Sequence, residues 1–299
     1  MDRIDAMRAF VRTVDDGGLA AAARRLGRSP AAVTRAIAFL EEEVGARLLR
    51  RTTRSSGPTE AGERFLDSCR RILADFDEAT ALAAGERSVP RGVLTVTGPL
   101  VFGRRHVRPV LDAFLDLHPT VQGRLLLLDR VVNLIDEGID AAIRIGQLPD
   151  SSLIATRIGH IRRVLCASPA FLAAHPPIRH PEDLAALPVI HFGQIHDGRG
   201  WSFATPAGPI TVPVQPRLTV NGAEAAIESA IDGHGVTAVL SYQIADALRE
   251  GRLTLLLEGF EPPPLPVHLI YPEARLVAAK VRAFVDFAVP RLRALPVLA

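Results

Sequence analysis

Cysteine is scarce in this sequence, and long apolar runs are absent. The 299 residues include two cysteines, Cys69 and Cys166, which are too few for a disulfide framework and lack the spacing of a zinc site. No stretch approaches the roughly 18 consecutive apolar residues of a membrane-spanning helix. The N-terminal MDRIDAMRAF carries acids where a signal peptide would be basic. The sequence therefore predicts a soluble, cytoplasmic protein with no membrane partner and no metal site.

Lysine is almost missing, so arginine carries nearly all of the positive charge. Lys280 is the single lysine, and the formal net charge of the chain is only +2. Hydrophobic residues make up 48% and charged residues 23%, as in globular proteins, and the length predicts two or three domains. Positive charge is concentrated from Arg24 to Arg54, where eight arginines stand against three glutamates. This local excess favours an anionic partner such as nucleic acid.

The segment from Gly18 to Glu43 has the pattern of two short helices joined by a tight turn. The first helix ends before the turn Gly27–Ser29. Ser29 is a typical N-cap for the second helix, and Pro30 stands at its first position, where a missing N–H costs nothing. Glycine in the turn permits a positive φ angle. The sequence therefore predicts a helix-turn-helix arrangement.

The second of these helices has two different faces. Val33, Ile37 and Leu40 recur at helical spacing and predict a buried face. The opposite face is short, shallow and basic, as in a helix that enters a DNA major groove, and it carries Pro30, Ala31, Thr34 and Arg35. We interpret this segment as a reader of DNA. Taken alone, it is also compatible with an ordinary helical hairpin inside a larger core.

Two features after the reader support this interpretation. Residues 46–59 combine a short β-prone piece with arginines and hydroxyl residues, which predicts a two-stranded wing; a solvated basic loop is the alternative. Thr59 is then placed to cap a long helix with a heptad stripe. The stripe predicts a dimerising helix, and it is formed by Phe65, Cys69, Ile72, Phe76 and Ala79. Cys69 fits a small packed residue of this stripe better than a redox centre.

Beyond a Gly- and Pro-containing hinge at residues 84–92, strands and helices alternate, as in a doubly wound sheet. The predicted strands are 93–97, 125–128, 141–145, 164–167, 189–192, 236–240 and 266–271. The predicted helices are 102–117, 131–137, 169–174, 223–232, 242–249 and 273–289, the last stopped by Pro290. Two such lobes with two crossovers would enclose a cleft suited to a small ligand.

Residues 1–62 resemble the DNA-binding domain of the LysR-type transcriptional regulators of bacteria. The matching pieces are AAARRLGRSPAAVTRAIAFLEEEVGARLLRRTTR and TEAG. The later GVLTVTGP, DAAIRIG and NGAEAAIESAIDGHGV match the family more loosely. The resemblance implies an α/β protein with an N-terminal winged helix-turn-helix, a long linker helix and a two-lobed effector domain like a periplasmic binding protein. The expected boundaries are 1–58 for the winged domain, 59–90 for the linker and dimerisation helix with its hinge, and 91–299 for the effector domain. Within the last, lobe 1 spans about 91–162 and 267–299, and lobe 2 about 163–266.

The resemblance also implies partners and site residues. The expected DNA-binding residues are Arg28, Ser29, Pro30, Ala31, Thr34, Arg35, Arg51, Thr53 and Arg54. The family often has glutamine at the position of Pro30 and a hydroxyl residue at that of Ala20, so the docking geometry carries over but the recognised DNA sequence does not. The expected partners are promoter or operator DNA, a small effector of anionic character, further copies in a homodimer or homotetramer, and RNA polymerase. No cofactor is expected.

For the effector we expect a site between the lobes. The candidate residues are Thr97, Gly98, Leu100, Phe102, Arg144, Gly146, His191, Trp201 and Asn221. The turn 97–102 precedes a helix whose N–H groups suit an anion, and Arg144 suits a carboxylate. Each of these residues, taken alone, is also compatible with a packing role.

Other classes of function find less support. No G-x-S-x-G elbow surrounds Ser168 or Cys166, and Gly233–Gly235 lies between a helix and a strand, the wrong order for a phosphate loop. His191 and His196 have a weak metal spacing. We therefore expect no enzymatic activity. The two rivals are a cytosolic solute-binding protein with an incidental helical arm and an enzyme that uses the cleft.

Overall fold

The computed structural model describes residues 2–51, 56–83, 89–149, 152–193, 200–273, 275 and 278–298. The chain divides into two compact units, which we call the N-terminal unit (Met1–Val89) and the C-terminal unit (Pro90–Ala299). None of the described helices is long and apolar enough to cross a membrane.

The N-terminal unit begins with three helices, α1 (Arg3–Asp15), α2 (Leu19–Arg25) and α3 (Pro30–Val44). The predicted start of α3 is confirmed, because the Ser29 side chain accepts a hydrogen bond from the N–H of Ala32 and Pro30 occupies the first helical position. Gly27 in the turn has a φ of 63°, the left-handed conformation expected there. The helix-turn-helix arrangement is therefore present.

The predicted wing is also confirmed. Strand β1 (Leu49–Arg51) pairs antiparallel with β2 (Ser56–Pro58). The long helix α4 (Glu60–Ala83) follows, and the Thr59 hydroxyl accepts from the N–H of Gly62 at 2.9 Å, as predicted for its cap. A Cβ atom on Gly62 would lie 2.0 Å from the carbonyl oxygen of Leu48, so only glycine allows α4 to pack this closely against the wing.

The C-terminal unit starts with strand β3 and a helical stretch that includes one π-helical segment, Gly103–Val107. The elements up to the first crossover are β3 (Gly92–Gly98), α5 (Leu100–Phe102), α6 (Arg108–Leu117), β4 (Val121–Leu127), β5 (Ala141–Ile145) and β6 (Leu153–Ile161). The next elements are β7 (Arg163–Ala167), α7 (Pro169–Ala173), β8 (Val189–Phe192), β9 (Trp201–Thr205), β10 (Gly208–Val212), β11 (Pro216–Val220), α8 (Ala223–Ile231), β12 (Val236–Leu240), α9 (Ala245–Arg249) and β13 (Thr254–Leu256). The chain then returns through β14 (Leu265–Pro272) and ends with α10 (Ala279–Arg293) and a short 3₁₀ turn.

These strands form two five-stranded sheets, one in each lobe, and one separate hairpin. The lobe 1 sheet has the order β4-β3-β5-β14-β6, the lobe 2 sheet has the order β11-β8-β12-β7-β13, and β9 pairs with β10. Strands β4, β3 and β5 are parallel, but β14 runs antiparallel to β5 and β6. In lobe 2, β7 is likewise antiparallel to β12 and β13. Both sheets are thus mixed, because each crossover between the lobes brings a strand back in the opposite direction.

Three predicted helices differ in the structure. The predicted helix 242–249 is divided into a 3₁₀ turn, Ser241–Gln243, and α9. Residues 131–137 form turns rather than a helix, because the Asn133 side chain accepts from the N–H of Ile135 at 3.1 Å and so competes with helical bonding. The last helix begins at Ala279 and contains Pro290 instead of ending before it. Pro290 lies in the last turn, and its carbonyl still accepts from the N–H of Ala294 at 3.2 Å.

Candidate DNA-binding surface and effector site

The two faces of α3 are separated as predicted. Val33, Ile37 and Leu40 are buried in the core of the N-terminal unit. Thr34 is half-buried, and the other predicted residues of the reading surface are exposed: Arg28, Ser29, Pro30, Ala31 and Arg35. We call these six residues the reading surface.

Some polar side chains of the reading surface already form hydrogen bonds or ion pairs within the chain, and others do not. The Thr34 hydroxyl donates to the carbonyl of Pro30 at 2.9 Å, and Arg28 forms an ion pair with Asp5 at 2.7 Å. Arg35 makes no hydrogen bond or ion pair to any described part of the chain. Its guanidinium therefore keeps all of its N–H donors for a partner. Thr53, Arg54 and the side chain of Arg51 lie outside the described residues, and their predicted contacts stay predictions.

A buried carboxylate fixes the wing to α3. Glu41 is only 8% exposed, and its Oε1 accepts from the N–H groups of Leu48 and Leu49 at 2.9 and 3.2 Å. Its Oε2 accepts from Arg47 at 3.2 Å. Sequence reasoning missed this residue, because it is one of three consecutive glutamates and nothing in the pattern shows which one turns inward. Glu41 sets the position of the wing relative to the reading surface.

The predicted dimerisation stripe of α4 divides into two parts. Cys69 is fully buried and Phe65 packs against Phe10, so both belong to the core of the N-terminal unit. Ile72 and Phe76 are 39% and 47% exposed. The side chain of Ala79 lies outside the described part. This placement corrects the role of Cys69, which has no surface to offer a second copy; Ile72 and Phe76 remain available.

Most of the effector-site candidates where β3 meets α5 have structural roles. Thr97 is buried and its hydroxyl donates to the carbonyl of Leu126 at 2.7 Å, while Phe102 is fully buried. The N–H of Leu100 donates to Asp129 at 2.9 Å. A carboxylate of the protein thus already binds at the helix start where we expected an anionic ligand. Gly98, whose carbonyl accepts from the N–H of Leu128, ends β3 beside this corner.

Arg144 and Gly146 lie at the carboxyl end of β5. The Arg144 guanidinium donates to the carbonyl of Val132 at 3.1 Å, and burial lowers the pKa of Arg144 while the charge of Glu137 opposes that change. Gly146 donates its N–H to the carbonyl of Pro266 at 2.9 Å. Within the residues that the structure describes, Arg144 is therefore held in place by backbone oxygens rather than by a carboxylate.

The lobe 2 candidates occupy three different environments. His191 is half-buried on β8, and Trp201 is buried in the lobe 2 core on β9. Asn221 is exposed and precedes Gly222, the N-cap of α8. In the described part of the chain, no group of three or more His, Cys, Asp or Glu side chains is placed to hold a metal ion.

Both units match families of known proteins. Residues 4–63 match the bacterial regulatory helix-turn-helix proteins of the lysR family. Residues 87–293 match the LysR substrate binding domain. The chain belongs to the LysR family of transcriptional regulators. It is therefore a DNA-binding transcriptional regulator with an effector-binding domain.

Individual LysR-type relatives align over nearly the whole chain. The regulator DmlR of Escherichia coli is 34% identical over 282 residues, covering 94% of this chain and 92% of DmlR. PtxR of Pseudomonas aeruginosa is 33% identical over 278 residues, covering 93% and 89%. The solved structure of CrgA, a LysR-type regulator from Neisseria meningitidis, has a TM-score of 0.61 at 28% identity and covers 96% of this chain and 98% of CrgA. The full-length virulence activator AphB of Vibrio cholerae has a TM-score of 0.61 at 26% identity, covering 97% and 99%.

The two lobes of this LysR-type regulator are joined by side chains that the sequence pattern did not reveal. Arg104 and Arg105 of the π-helical segment form ion pairs with Glu224 on α8 and with Asp246 on α9. Tyr242 of lobe 2 packs edge-on against Phe102 of lobe 1, with ring centroids 5.4 Å apart. Sequence reasoning missed these contacts because the residues that meet are far apart in the chain, 120 positions for Arg104 and Glu224.

The two thiols of this LysR-type regulator are unreactive because both are buried. Cys69 and Cys166 are both free and fully buried. Burial raises the pKa of each thiol to about 12. Because the thiolate is the reactive form, neither cysteine is suited to sensing oxidants.

Proposed function

We propose that this regulator reads its operator with the reading surface of α3, while the wing contacts the phosphate backbone. The observation that carries the proposal is Arg35, an exposed arginine without an intramolecular partner in the described part of the chain, on the face opposite the buried Val33 and Ile37. Pro30 and Ala31 offer apolar contact to a thymine methyl group, and Arg35 offers paired donors to guanine or to a phosphate.

Arg35→Ala is expected to weaken operator binding by about 1–3 kcal/mol. The variant loses the guanidinium donors but removes no hydrogen bond or ion pair of the described chain, so its stability should not change. Gel-shift titration on genome fragments selected by the native protein measures the effect. Arg12→Ala, an exposed arginine of α1, is the matched control. Unchanged binding by Arg35→Ala would contradict the docking, and affinity that does not fall with rising salt would contradict DNA binding altogether.

We propose further that a small effector binds between the lobes of the C-terminal unit and changes the packing of copies on DNA. Two crossovers and several side-chain contacts join the two lobes. These connections support a change in both lobes when an effector binds between them. The chain acts as a regulator without enzymatic activity, in the cytoplasm. RNA polymerase is the further partner of the bound complex.

Arg144→Ala is expected to abolish the response to the effector and to leave operator binding intact. The reason is position: Arg144 lies at the carboxyl end of β5, where open sheets bind ligands, and backbone oxygens hold it there. The measurement is operator affinity with and without effector. A loss of cooperative unfolding in Arg144→Ala would show instead that the residue only supports the segment around Val132.

We propose that the regulator is a homodimer or homotetramer whose contacts include α4. Ile72 and Phe76 are large apolar side chains left exposed one turn apart on this helix. Apolar residues at this spacing are typical of helices that pack against a second helix. Two copies of the reading surface would then meet two half-sites about one helical turn apart.

A further inference from the structure

Three neighbouring strands of the lobe 1 sheet place basic side chains in one row. His268 on β14 lies opposite Arg144 on β5 and opposite Arg157 on β6. Side chains of directly opposite residues project from the same face, with Cβ atoms about 4.5–5.5 Å apart. This face also carries Ala142 and Ile270, which belong to the small cluster beneath the 132–139 segment and not to the main core of lobe 1. The strand register therefore brings together three residues that are far apart in sequence.

A bulge adds a fourth basic residue to the row. The register of β14 against β6 shifts beside His268, so that one residue of β6 between Arg157 and Gly159 is left without a partner. Bulges of this kind re-aim side chains. His160 is thereby brought against Arg157, whose guanidinium contacts its Nε2. The backbone at this point is held firmly, because Arg293 donates to the carbonyl of Arg157 at 2.9 and 3.1 Å.

The row has little negative charge of its own. Neither Arg157 nor His268 forms an ion pair with a carboxylate in the described part of the chain, and the Nδ1 atom of His268 is buried without a hydrogen-bond partner. Glu137, in the 132–139 segment, interacts electrostatically with Arg144. Its carboxylate, however, is already paired with Arg130 at 3.0 Å. Burial, and in addition the charge of Arg157, lower the pKa of His268, so its ring is uncharged at neutral pH and Arg144 and Arg157 carry the positive charge of the row.

We propose that the row Arg144–His268–Arg157, extended by His160, is a binding site for a small anion with at least two negative charges, of the carboxylate or phosphate class. Arginine presents planar pairs of N–H donors that match the oxygens of both groups. A doubly charged anion would supply the counter-charge that the row lacks. The site includes Arg144, so it gives the anionic part of the effector site a specific location. Its role in regulation rests on the proposed function, whereas anion binding itself does not.

The test is calorimetric titration of the full-length protein, free of DNA, with inorganic phosphate and separately with succinate. Sodium chloride at the same ionic strength is the reference. We expect saturable binding of at least one of the two anions and none of chloride, and the anion that binds identifies the class. Arg157→Gln and His268→Gln should each weaken that binding about tenfold or more, as expected for the loss of a hydrogen bond to a charged group. Arg282→Gln, an exposed arginine of the same lobe on α10, should bind as the native protein does.

A second measurement separates binding from folding. Because Arg157 is exposed and has no carboxylate partner in the described part of the chain, Arg157→Gln without added anion should melt at or above the temperature of the native protein. A clear fall would assign Arg157 a structural role and overturn the proposal. Absence of saturable binding by both anions, or equal binding by Arg157→Gln, His268→Gln and the native protein, would overturn it as well. None of these readouts involves DNA, so a failure of the proposed operator contacts would be seen separately.

Discussion

Lys280→Ala is expected to lower the free energy of unfolding of the C-terminal unit by about 3–5 kcal/mol, the range for breaking a buried ion pair from one side. The only lysine of the chain has a side chain 7% exposed. Its Nζ donates to the carbonyl of Val93 at 2.6 Å and lies 3.8 Å from Asp140, whose side chain is 4% exposed. Asp140 also accepts from the N–H of Thr95 at 2.8 Å. Lys280 thus ties α10 to β3 and to the start of β5.

The measurement is denaturant unfolding followed by tryptophan fluorescence. Trp201 is the only tryptophan and lies in the C-terminal unit, so its signal reports on that unit alone. Arg282→Ala, an exposed position on the same helix, is the control and should change the free energy of unfolding by less than about 0.5 kcal/mol. The double variant Lys280→Met with Asp140→Asn should recover only a small part of the loss, because Arg275, 3.8 Å from Asp140, then loses that carboxylate. Similar unfolding curves for Lys280→Ala and the control would contradict the assignment.

Glu41→Ala is expected to destabilise the N-terminal unit by about 2–4 kcal/mol, because the N–H groups of Leu48 and Leu49 both lose their buried acceptor. Operator affinity should fall with it, since the wing is no longer fixed to α3. The N-terminal unit contains no tryptophan, so its unfolding is followed by far-ultraviolet circular dichroism while the Trp201 signal stays unchanged.

Two matched variants make this test specific to one carboxylate. Glu42→Ala changes the adjacent, exposed glutamate and should have little effect on either stability or affinity. Glu41→Gln keeps one oxygen acceptor for the N–H groups of Leu48 and Leu49 and gives up the contact with the exposed Arg47, so it should cost less than Glu41→Ala. Equal effects of Glu41→Ala and Glu42→Ala would show that the buried hydrogen bonds do not hold the wing.

The features that the sequence predicted well are those set by local chemistry. The N-cap Ser29, the first-turn Pro30, the turn residue Gly27 and the cap Thr59 act within four residues of their own position. The buried face of α3 follows from helical spacing alone. The same spacing placed Pro30, Ala31, Thr34 and Arg35 on the opposite face, whereas Arg28 and Ser29 were added from the family resemblance.

What the sequence did not reveal depends on contacts between distant segments. Asp129 reaches the start of α5, and His268 meets Arg144 and Arg157, only through strand register and loop path. The π-helical segment and its ion pairs to lobe 2 have no periodic signal. Asn133 overrode a helical pattern through one side-chain bond. For this reason the sequence predicted the effector-site residues less well than the exposed face of α3.

The burial of both native thiols makes this chain a convenient background for site-directed labelling. A maleimide or methanethiosulfonate reagent needs an accessible thiolate, and neither Cys69 nor Cys166 presents one while the units stay folded. A single cysteine introduced at an exposed position of the C-terminal unit would then be the preferred attachment point for a spin label. Distances between copies of the chain could be read in this way without first removing the native cysteines.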